Sequence, residues 1–304
     1  MASKLKNSWM RKNAQKIFWC LLGLSGSLAG CHANSLVVTK GMAPVFTLPE
    51  TKLQYEYGEH GNNCLQLDTV LMPPARIKIL DTSNSPIYKI SYEISEKSKG
   101  SGYVHQHFLK NCCEQVKDPK SPCVMRLEDI RAVFERCIQE KVPYCFGGNS
   151  FDSIQLPKEY QFTPSGEYIP GKQFDFRGFD CSGLLFYISN GILPHCTRGL
   201  DTCGKKIYTF DWQKDYSDEE KQKVLASLRD TDYLVFVRNK KTQMIGSGHV
   251  MVSYKGGFIE FRGIAKGCCY TTKENALQRL NEMITSSKEF CSDLFVIRWH
   301  PEVK

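Results

Sequence analysis

The stretch FDCSGLLFYISNG, residues 179–191, constrains this chain more than any other part of its sequence. It sets a cysteine between an aspartate and a serine, adds a glycine, and continues through apolar residues to Gly191. This pattern predicts a helix from Cys181 that ends at that glycine. Unpaired N–H groups at a helix start favour negative charge, which predicts an acidified thiol at Cys181. The alternative is a buried cysteine that only packs the helix.

A nucleophilic cysteine needs a base, and the stretch GSGHVMVSY offers His249 at the start of an apolar strand. A lone histidine at a strand end is more often structural. The other candidate bases are His105, His107, His195 and His300.

The stretch KGGFIEFRG predicts how this base is oriented. Gly256 and Gly257 indicate a hairpin turn. Antiparallel pairing across that turn brings Glu260 beside His249, where a carboxylate holds an imidazole ring in place. The competing interpretation is a surface face that Glu260 shares with Arg262.

The N-terminus has the pattern of a secretory signal. A basic segment without acidic residues precedes IFWCLLGLSGSLAG and Cys31. The apolar part is shorter than the ~20 residues of a membrane-spanning helix. The sequence LAGC at 28–31 resembles the bacterial lipoprotein box, which implies cleavage before Cys31 and lipidation of that residue. We expect a signal peptide over 1–30, an ordinary secretory signal being the alternative, and a mature protein anchored to the membrane in the cell envelope.

Cysteine usage agrees with an oxidising compartment. Eleven cysteines remain when Cys20, Cys31 and Cys181 are set aside, and many of them are free to pair, with a connectivity that the sequence does not give. The adjacent doublets at 112–113 and 268–269 suit disulfides or free thiols better than structural zinc. The net charge of +8 includes no block that indicates a nucleic-acid arm.

The rest of the chain divides by composition. Residues 31–50 have the character of a tether. Residues 51–110 hold short alternating segments that predict a small β-barrel, and 111–124 indicate a linker. Residues 125–304 begin with an amphipathic helix and end with several apolar strands, which predicts an α+β domain.

Four motifs in residues 125–304 together resemble the NlpC/P60 cysteine peptidases. They are DCSG before an apolar helix, a GHV strand, PYCFGG after a helix, and TDYLVFV before the GHV strand. The resemblance implies a papain-like α+β catalytic domain, preceded by a bacterial SH3-like domain at 51–110. It implies hydrolysis of peptidoglycan stem peptides or released muropeptides between γ-D-glutamate and diaminopimelate or lysine, without metal or other cofactor.

The resemblance also implies roles for single residues. Cys181 matches the nucleophile and His249 the base, while Glu260 stands where relatives often have histidine. Asp180 and Ser182 match residues that hold a substrate amine and the glutamyl carboxylate. The remaining candidate contacts are Tyr144, which lines the site and helps the oxyanion, Phe146, where relatives often have tryptophan, and Thr197.

Two features set limits on this interpretation. The insertion at 149–178 is expected to cap the cleft, and in some relatives the SH3-like domain admits only short peptides with a free N-terminal L-alanine. The alternatives are a non-catalytic lipoprotein that binds muropeptides or stabilises the envelope through disulfides, and an acyltransferase with the same thiol–imidazole pair.

Overall fold

A computed structural model describes residues 36–49, 53, 55–64, 66–116, 121–154, 156–157, 176–212, 214–238, 248–288 and 290–303. These residues form three β-sheets and six α-helices, so the predicted α+β class is confirmed. The predicted signal peptide and Cys31 lie outside the described residues. Among the described helices, none combines the length and apolar character needed to cross a membrane.

The secondary-structure elements are numbered in chain order. The strands are β1 (Leu36–Val38), β2 (Ala43–Phe46), β3 (Tyr55–Gly58), β4 (Gly61–Cys64), β5 (Leu67–Leu71), β6 (Arg76–Asp81), β7 (Ile87–Glu93), β8 (Lys99–His105), β9 (Cys113–Gln115), β10 (Tyr144–Cys145), β11 (Asn149–Ser150), β12 (Gly178–Phe179), β13 (Lys205–Phe210), β14 (Tyr233–Arg238), β15 (His249–Tyr254), β16 (Gly257–Phe261), β17 (Cys268–Thr271) and β18 (Cys291–Arg298). The helices are α1 (Gln106–Cys112), α2 (Leu127–Gln139), α3 (Cys181–Ile188), α4 (Thr197–Leu200), α5 (Asp218–Ser227) and α6 (Ala276–Ser287), with a short 3₁₀ helix at Lys273–Asn275.

The first sheet has seven strands in the order β5-β2-β8-β7-β6-β1-β9. Strands β1 and β2 come from the segment predicted to be a tether, and that prediction is wrong over residues 36–46. The reason is burial, because Val38, Val45 and Phe46 lie fully inside the apolar core of this sheet. A tether would leave these side chains in water.

The second sheet joins distant parts of the chain in the order β11-β12-β10-β4-β3. The β3–β4 hairpin pairs with β10, and Gly61 allows the close approach, because a Cβ there would lie 2.1 Å from the carbonyl oxygen of Tyr144. Segment 51–110 therefore does not form a sheet by itself. The SH3-like domain stays a prediction.

The third sheet is antiparallel, in the order β13-β18-β14-β15-β16-β17. On one face, Val250, Val252 and Ile259 pack with Leu184 and Leu185 of α3. On the other face, an apolar cluster joins the sheet to α6; its members include Leu234, Phe236, Met251, Phe258 and Leu280. Coverage of both faces explains why these strands are nearly continuous in apolar character.

Candidate active site

The helix that carries the candidate nucleophile begins at Cys181 and is capped by Asp180. Asp180 Oδ1 accepts hydrogen bonds from the backbone N–H groups of Ser182, at 2.9 Å, and Gly183, at 2.6 Å. These bonds satisfy two of the unpaired donors at the helix start. Asp180 therefore fixes where the helix begins and so where the thiol lies.

Asp180 and Ser182, the predicted substrate contacts, bond to the protein itself in this state, and their role toward a substrate stays a prediction. Both residues are buried. Ser182 Oγ donates to Asp180 Oδ1 at 2.9 Å, and Gly147 N donates to Asp180 Oδ2 at 2.9 Å. The His195 ring also contacts Oδ1, with its Nε2 at 3.1 Å. These contacts join Asp180 to its own helix, to Gly147 and to His195.

His195 links Asp180 to the seven-stranded sheet. Its Nδ1 lies 2.8 Å from Thr69 Oγ1 on β5, and its side chain is only 6% exposed. Burial lowers the pKa of His195, but the charge of Asp180, its hydrogen bond and the charge of Asp68 raise the pKa above the usual value. Burial likewise raises the pKa of Asp180, and His195 with the capping bonds brings it below the usual value. The pair therefore favours a charged imidazolium beside a carboxylate.

This pair predicts a pH-dependent contribution to stability. Because the pKa of His195 is raised in the folded state, its contribution is present below pH 6.5, the ordinary histidine value, and is lost as pH rises through the folded value. We expect His195→Gln to lower the free energy of unfolding by about 3 kcal/mol at pH 6 and by less at pH 8. Urea unfolding of both proteins at the two pH values measures this. If His195→Gln lowers the free energy of unfolding equally at pH 6 and at pH 8, the ion pair is contradicted.

The Cys181 thiol lies against the strand that begins with His249. The residue as a whole is partly exposed, but its thiol is buried, and the backbone N–H of Val250 hydrogen-bonds to the sulfur. The sulfur therefore contacts the peptide group that joins His249 to Val250. Among the described residues, no hydrogen bond joins the thiol to the His249 ring; such catalytic hydrogen bonds are often long before substrate binds.

The predicted acidification of Cys181 is wrong for this free state. Burial raises the pKa of the thiol, and the neighbouring Asp180 carboxylate raises it further. Backbone N–H groups of Val250, Ser182 and Cys181 lower it by less. The helix start therefore holds a neutral thiol because its donors are outweighed by desolvation and a like charge.

Thiol alkylation tests this neutral state. At pH 7.5 we expect iodoacetamide to modify the exposed thiols of Cys123 and Cys196 before Cys181, since each unit of raised pKa lowers the thiolate fraction about tenfold. Mass spectrometry of each site from pH 6 to 10 measures the rates. Burial slows the access of iodoacetamide to Cys181 at every pH. The change of the alkylation rate with pH, rather than the rate itself, therefore shows whether the thiol is neutral. A Cys181 rate that levels off near neutral pH would show an acidified thiolate instead.

The predicted pairing of His249 with Glu260 is present. His249 Nε2 lies 2.7 Å from Glu260 Oε2, and the Glu260 side chain is fully buried. Burial alone raises the pKa of Glu260, but hydrogen bonds from Arg279 and His249 hold it well below the usual value. An ionised carboxylate only accepts, so Nε2 carries the proton in a neutral ring and Nδ1 keeps its lone pair.

His249 and Cys181 approach β15 from its two sides. The His249 ring lies 6.5 Å from that of Phe236, on the sheet face that bears α6. Cys181 packs with the cluster on the opposite face. Cys181 therefore lies near the first residue of the strand on one face, and the His249 ring lies on the other. Gly248, which precedes the strand, adjoins Thr197, because a Cβ at Gly248 would lie 2.3 Å from Thr197 Oγ1.

The other predicted contacts are placed as follows. Tyr144 is partly buried on β10 beside β12, and burial, Asp180 and Cys181 raise its pKa, so the phenol keeps its proton. Phe146 is partly buried. A cavity of about 300 Å³ adjoins the site through His195 and is also lined from the seven-stranded sheet, by Asp68, Tyr92 and Lys99 among others.

The insertion at 149–178 is described only at its ends, where β11 pairs with β12. Its predicted role as a cap falls mainly on residues 158–175, outside the described residues. No disulfide joins two cysteines of the described ranges, so none of the predicted disulfides is present there. Within the same ranges, no group of three or more His, Cys, Asp and Glu side chains is placed to hold a metal ion.

Sequence reasoning missed two residues of this arrangement, His195 as a partner of Asp180 and Arg279 as a partner of Glu260. Arg279 lies on an amphipathic helix with no motif, and nothing in its spacing indicates the contact. His195 was among the alternative bases. The signal available for Asp180 was its position directly before a helix, which is typical of a capping residue.

Comparison with known proteins gives little further information. No protein-family model and no curated protein matches this chain. Among solved structures, it is similar to the structure of NlpC1 from Trichomonas vaginalis, with 14% sequence identity over 85% of this chain and 69% of that one. The TM-score is 0.28, too low to support an argument about fold or function.

Proposed function

We propose that this chain is a cysteine peptidase that cleaves the γ-D-glutamyl–diaminopimelate or γ-D-glutamyl–lysine bond of peptidoglycan stem peptides. One observation carries the proposal. The thiol at the start of a buried helix contacts the peptide group after His249, while Glu260 holds the same histidine through Nε2. A nucleophile, a base and an orienting carboxylate are the three parts that thiol hydrolysis needs.

The proposed reaction starts from a neutral thiol. As the sulfur attacks the γ-glutamyl amide carbonyl, His249 Nδ1 accepts the thiol proton, and the charged ring is stabilised by Glu260. Collapse of the tetrahedral intermediate breaks the C–N bond, and His249 returns the proton to the leaving amine. Water, deprotonated by His249, then hydrolyses the thioester and restores the thiol.

Tyr144, which is close enough to Cys181 for the thiol to affect its pKa, supports the proposed reaction as a hydrogen-bond donor. Because its pKa is raised, its hydroxyl is protonated and can donate to the developing oxyanion. Backbone N–H groups at the start of α3 supply further partial positive charge. Thr197 and Phe146 are proposed to contact the substrate, and the closeness of Thr197 to Gly248, the residue before His249, supports its part in this proposal.

The proposed setting is the outer side of a bacterial membrane. Lipidation at Cys31 would anchor the chain, and the stem peptide would reach the site between the seven-stranded sheet and α3. This part of the proposal depends on the sequence pattern LAGC at 28–31.

The test is hydrolysis of L-Ala-γ-D-Glu-diaminopimelate by the purified protein, followed by chromatography of the products. We expect L-Ala-D-Glu and free diaminopimelate, and no cleavage of the α-linked isomer. Intact sacculi are assayed in parallel to identify the physiological form of the substrate. Absence of product from both tripeptide and sacculi would contradict the proposed activity.

The enclosed Asp180 and the raised pKa of Cys181 favour a second candidate, a protein that binds muropeptides without cleaving them. Calorimetric titration with the tripeptide distinguishes the two. Saturable binding without products, at a site that Cys181→Ala leaves intact, would support the binding protein. Products that carry an added amine acceptor would indicate acyl transfer.

A further inference from the structure

Arg279, on α6, forms the most extensive contact with the carboxylate that orients His249. Its Nε donates to Glu260 Oε1 at 2.7 Å and its Nη2 to Oε2 at 2.8 Å. The Arg279 side chain is 14% exposed and that of Glu260 is fully buried. This is a bidentate ion pair largely shielded from water, the geometry in which arginine fixes a carboxylate most firmly.

Two further groups contact the same carboxylate, Arg262 through an ion pair and His249 through a hydrogen bond. Arg262 Nη2 lies 2.6 Å from Oε1, and His249 Nε2 lies 2.7 Å from Oε2. Each oxygen thus has two partners, and a carboxylate offers about four acceptor positions in all. Among the described residues, Arg279 is the donor that reaches both oxygens. It therefore sets the plane of the carboxylate, whereas the other two donors each contact one oxygen.

The plane and charge of Glu260 decide what His249 presents to the thiol. With the carboxylate ionised and fixed, Nε2 must donate, and Nδ1 is left as the acceptor. Without Arg279, the carboxylate can turn about its terminal bond and loses its strongest hydrogen-bond donor. The ring would then lose both its fixed tautomer and its fixed orientation.

We propose that Arg279 is a positioning residue that acts through Glu260 on the His249 ring. The proposal rests on the proposed function, because the ring's task as base is hydrolysis of the peptide. It assigns to α6, a helix outside every motif in the sequence, a part in the chemistry on the opposite side of the sheet from α3.

The chain contains a matched control pair. Arg298 bonds Asp232 through Nε, at 3.0 Å to Oδ1, and through Nη2, at 2.7 Å to Oδ2. The two side chains are 17% and 0% exposed, close to the values for Arg279 and Glu260. Neither side chain contacts His249 among the described hydrogen bonds. Loss of Arg298 therefore reproduces the loss of a buried bidentate ion pair without touching the site.

The experiment compares Arg279→Met and Arg279→Lys with Arg298→Met and Arg298→Lys in the full chain. We expect Arg279→Met to lower kcat by about 10–100-fold with KM nearly unchanged, and Arg298→Met to leave kcat within about twofold. The acid limb of the rate profile should move to higher pH in Arg279→Met alone, because a positive charge near His249 is lost. Arg279→Lys keeps the positive charge but loses the bidentate contact with Glu260. This variant should leave the acid limb of the pH–rate profile in place and recover part of kcat.

A second readout does not depend on catalysis. Nitrogen-15 spectra of the His249 ring, assigned by comparison with His249→Gln, should show a proton on Nε2 in the unmodified protein and in both Arg298 variants. In Arg279→Met the signal of a proton fixed on Nε2 should be lost, or replaced by an average over the two tautomers of the ring. If the unmodified protein hydrolyses nothing, the spectra still decide the role of Arg279, and only the proposed function fails.

Two outcomes would overturn the proposal. One is an equal loss of kcat in Arg279→Met and Arg298→Met without a shift of the acid limb. The other is an unchanged ring signature in Arg279→Met. If Arg279→Met fails to fold, the ring spectrum and kcat are measured on Arg279→Lys instead. A His249 ring signature and a kcat identical to those of the unmodified protein would show that the bidentate Arg279 guanidinium has no positioning role.

Discussion

Replacing Cys181 by alanine should lower the rate of tripeptide hydrolysis by at least about 10³-fold, because no thioester can then form. Cys181 is a small, partly exposed residue, so the loss of its thiol removes little buried apolar surface and the fold should survive with a change in stability of about 1 kcal/mol or less. The assay is initial-rate chromatography with the melting temperature measured in parallel.

Cys123→Ala is the matched control for that loss, because this cysteine is exposed and precedes α2. Its rate should equal that of the unmodified protein. If Cys181→Ala cleaves the tripeptide as fast as Cys123→Ala, the thiol mechanism is excluded.

Replacing Glu260 by glutamine should have the largest effect on stability. Glutamine keeps the volume but supplies one acceptor oxygen instead of two, and its amide group meets donors from Arg279 or His249. Two guanidinium groups are left without a buried counter-charge, which should cost about 3–5 kcal/mol in the free energy of unfolding. The rate should also fall by about 10³-fold, because the His249 tautomer is no longer fixed.

The pH dependence of this effect has a defined sign. Since the pKa of Glu260 is lowered in the folded state, its contribution is present above its ordinary value of 4.5 and is lost as pH falls below it. The difference in unfolding free energy between the unmodified protein and Glu260→Gln should therefore shrink from pH 6 to pH 3, as urea unfolding measures.

Glu282→Gln provides the control for Glu260→Gln. Glu282 also bonds Arg279, at 3.2 Å, but its side chain is 50% exposed, so its loss should cost less than about 1 kcal/mol. Equal costs in the two variants, or a Glu260→Gln effect that does not depend on pH, would contradict a buried ionised carboxylate.

Local signals in the sequence predicted the parts of the site that depend on neighbours in the chain. The helix ends at Ile188, three residues before the predicted Gly191, and Asn190 and Gly191 follow it in the left-handed region, with φ of 51° and 75°. The turn at Gly256–Gly257 pairs Tyr254 with Gly257 and Val252 with Ile259. That register places Glu260 near His249, as the alternation of side chains predicted.

Contacts between distant segments were not predictable in the same way. Strands β1 and β2 are short and follow a segment rich in polar and small residues, so only their burial in the sheet reveals them. The pairing of β4 with β10 joins residues about 80 apart. The pKa of the Cys181 thiol depends on the balance of burial, one carboxylate and three N–H groups, and the predicted acidification used only the N–H groups.

The central claim is that Cys181 and His249 act as one unit on the γ-glutamyl amide. Its most direct test is to mix the protein with L-Ala-γ-D-Glu-diaminopimelate, quench in acid within milliseconds, and map the thioester by mass spectrometry. The account predicts an L-Ala-D-Glu adduct on Cys181 that is absent in His249→Gln. Hydrolysis without such an adduct, or with the adduct on another cysteine, would contradict it.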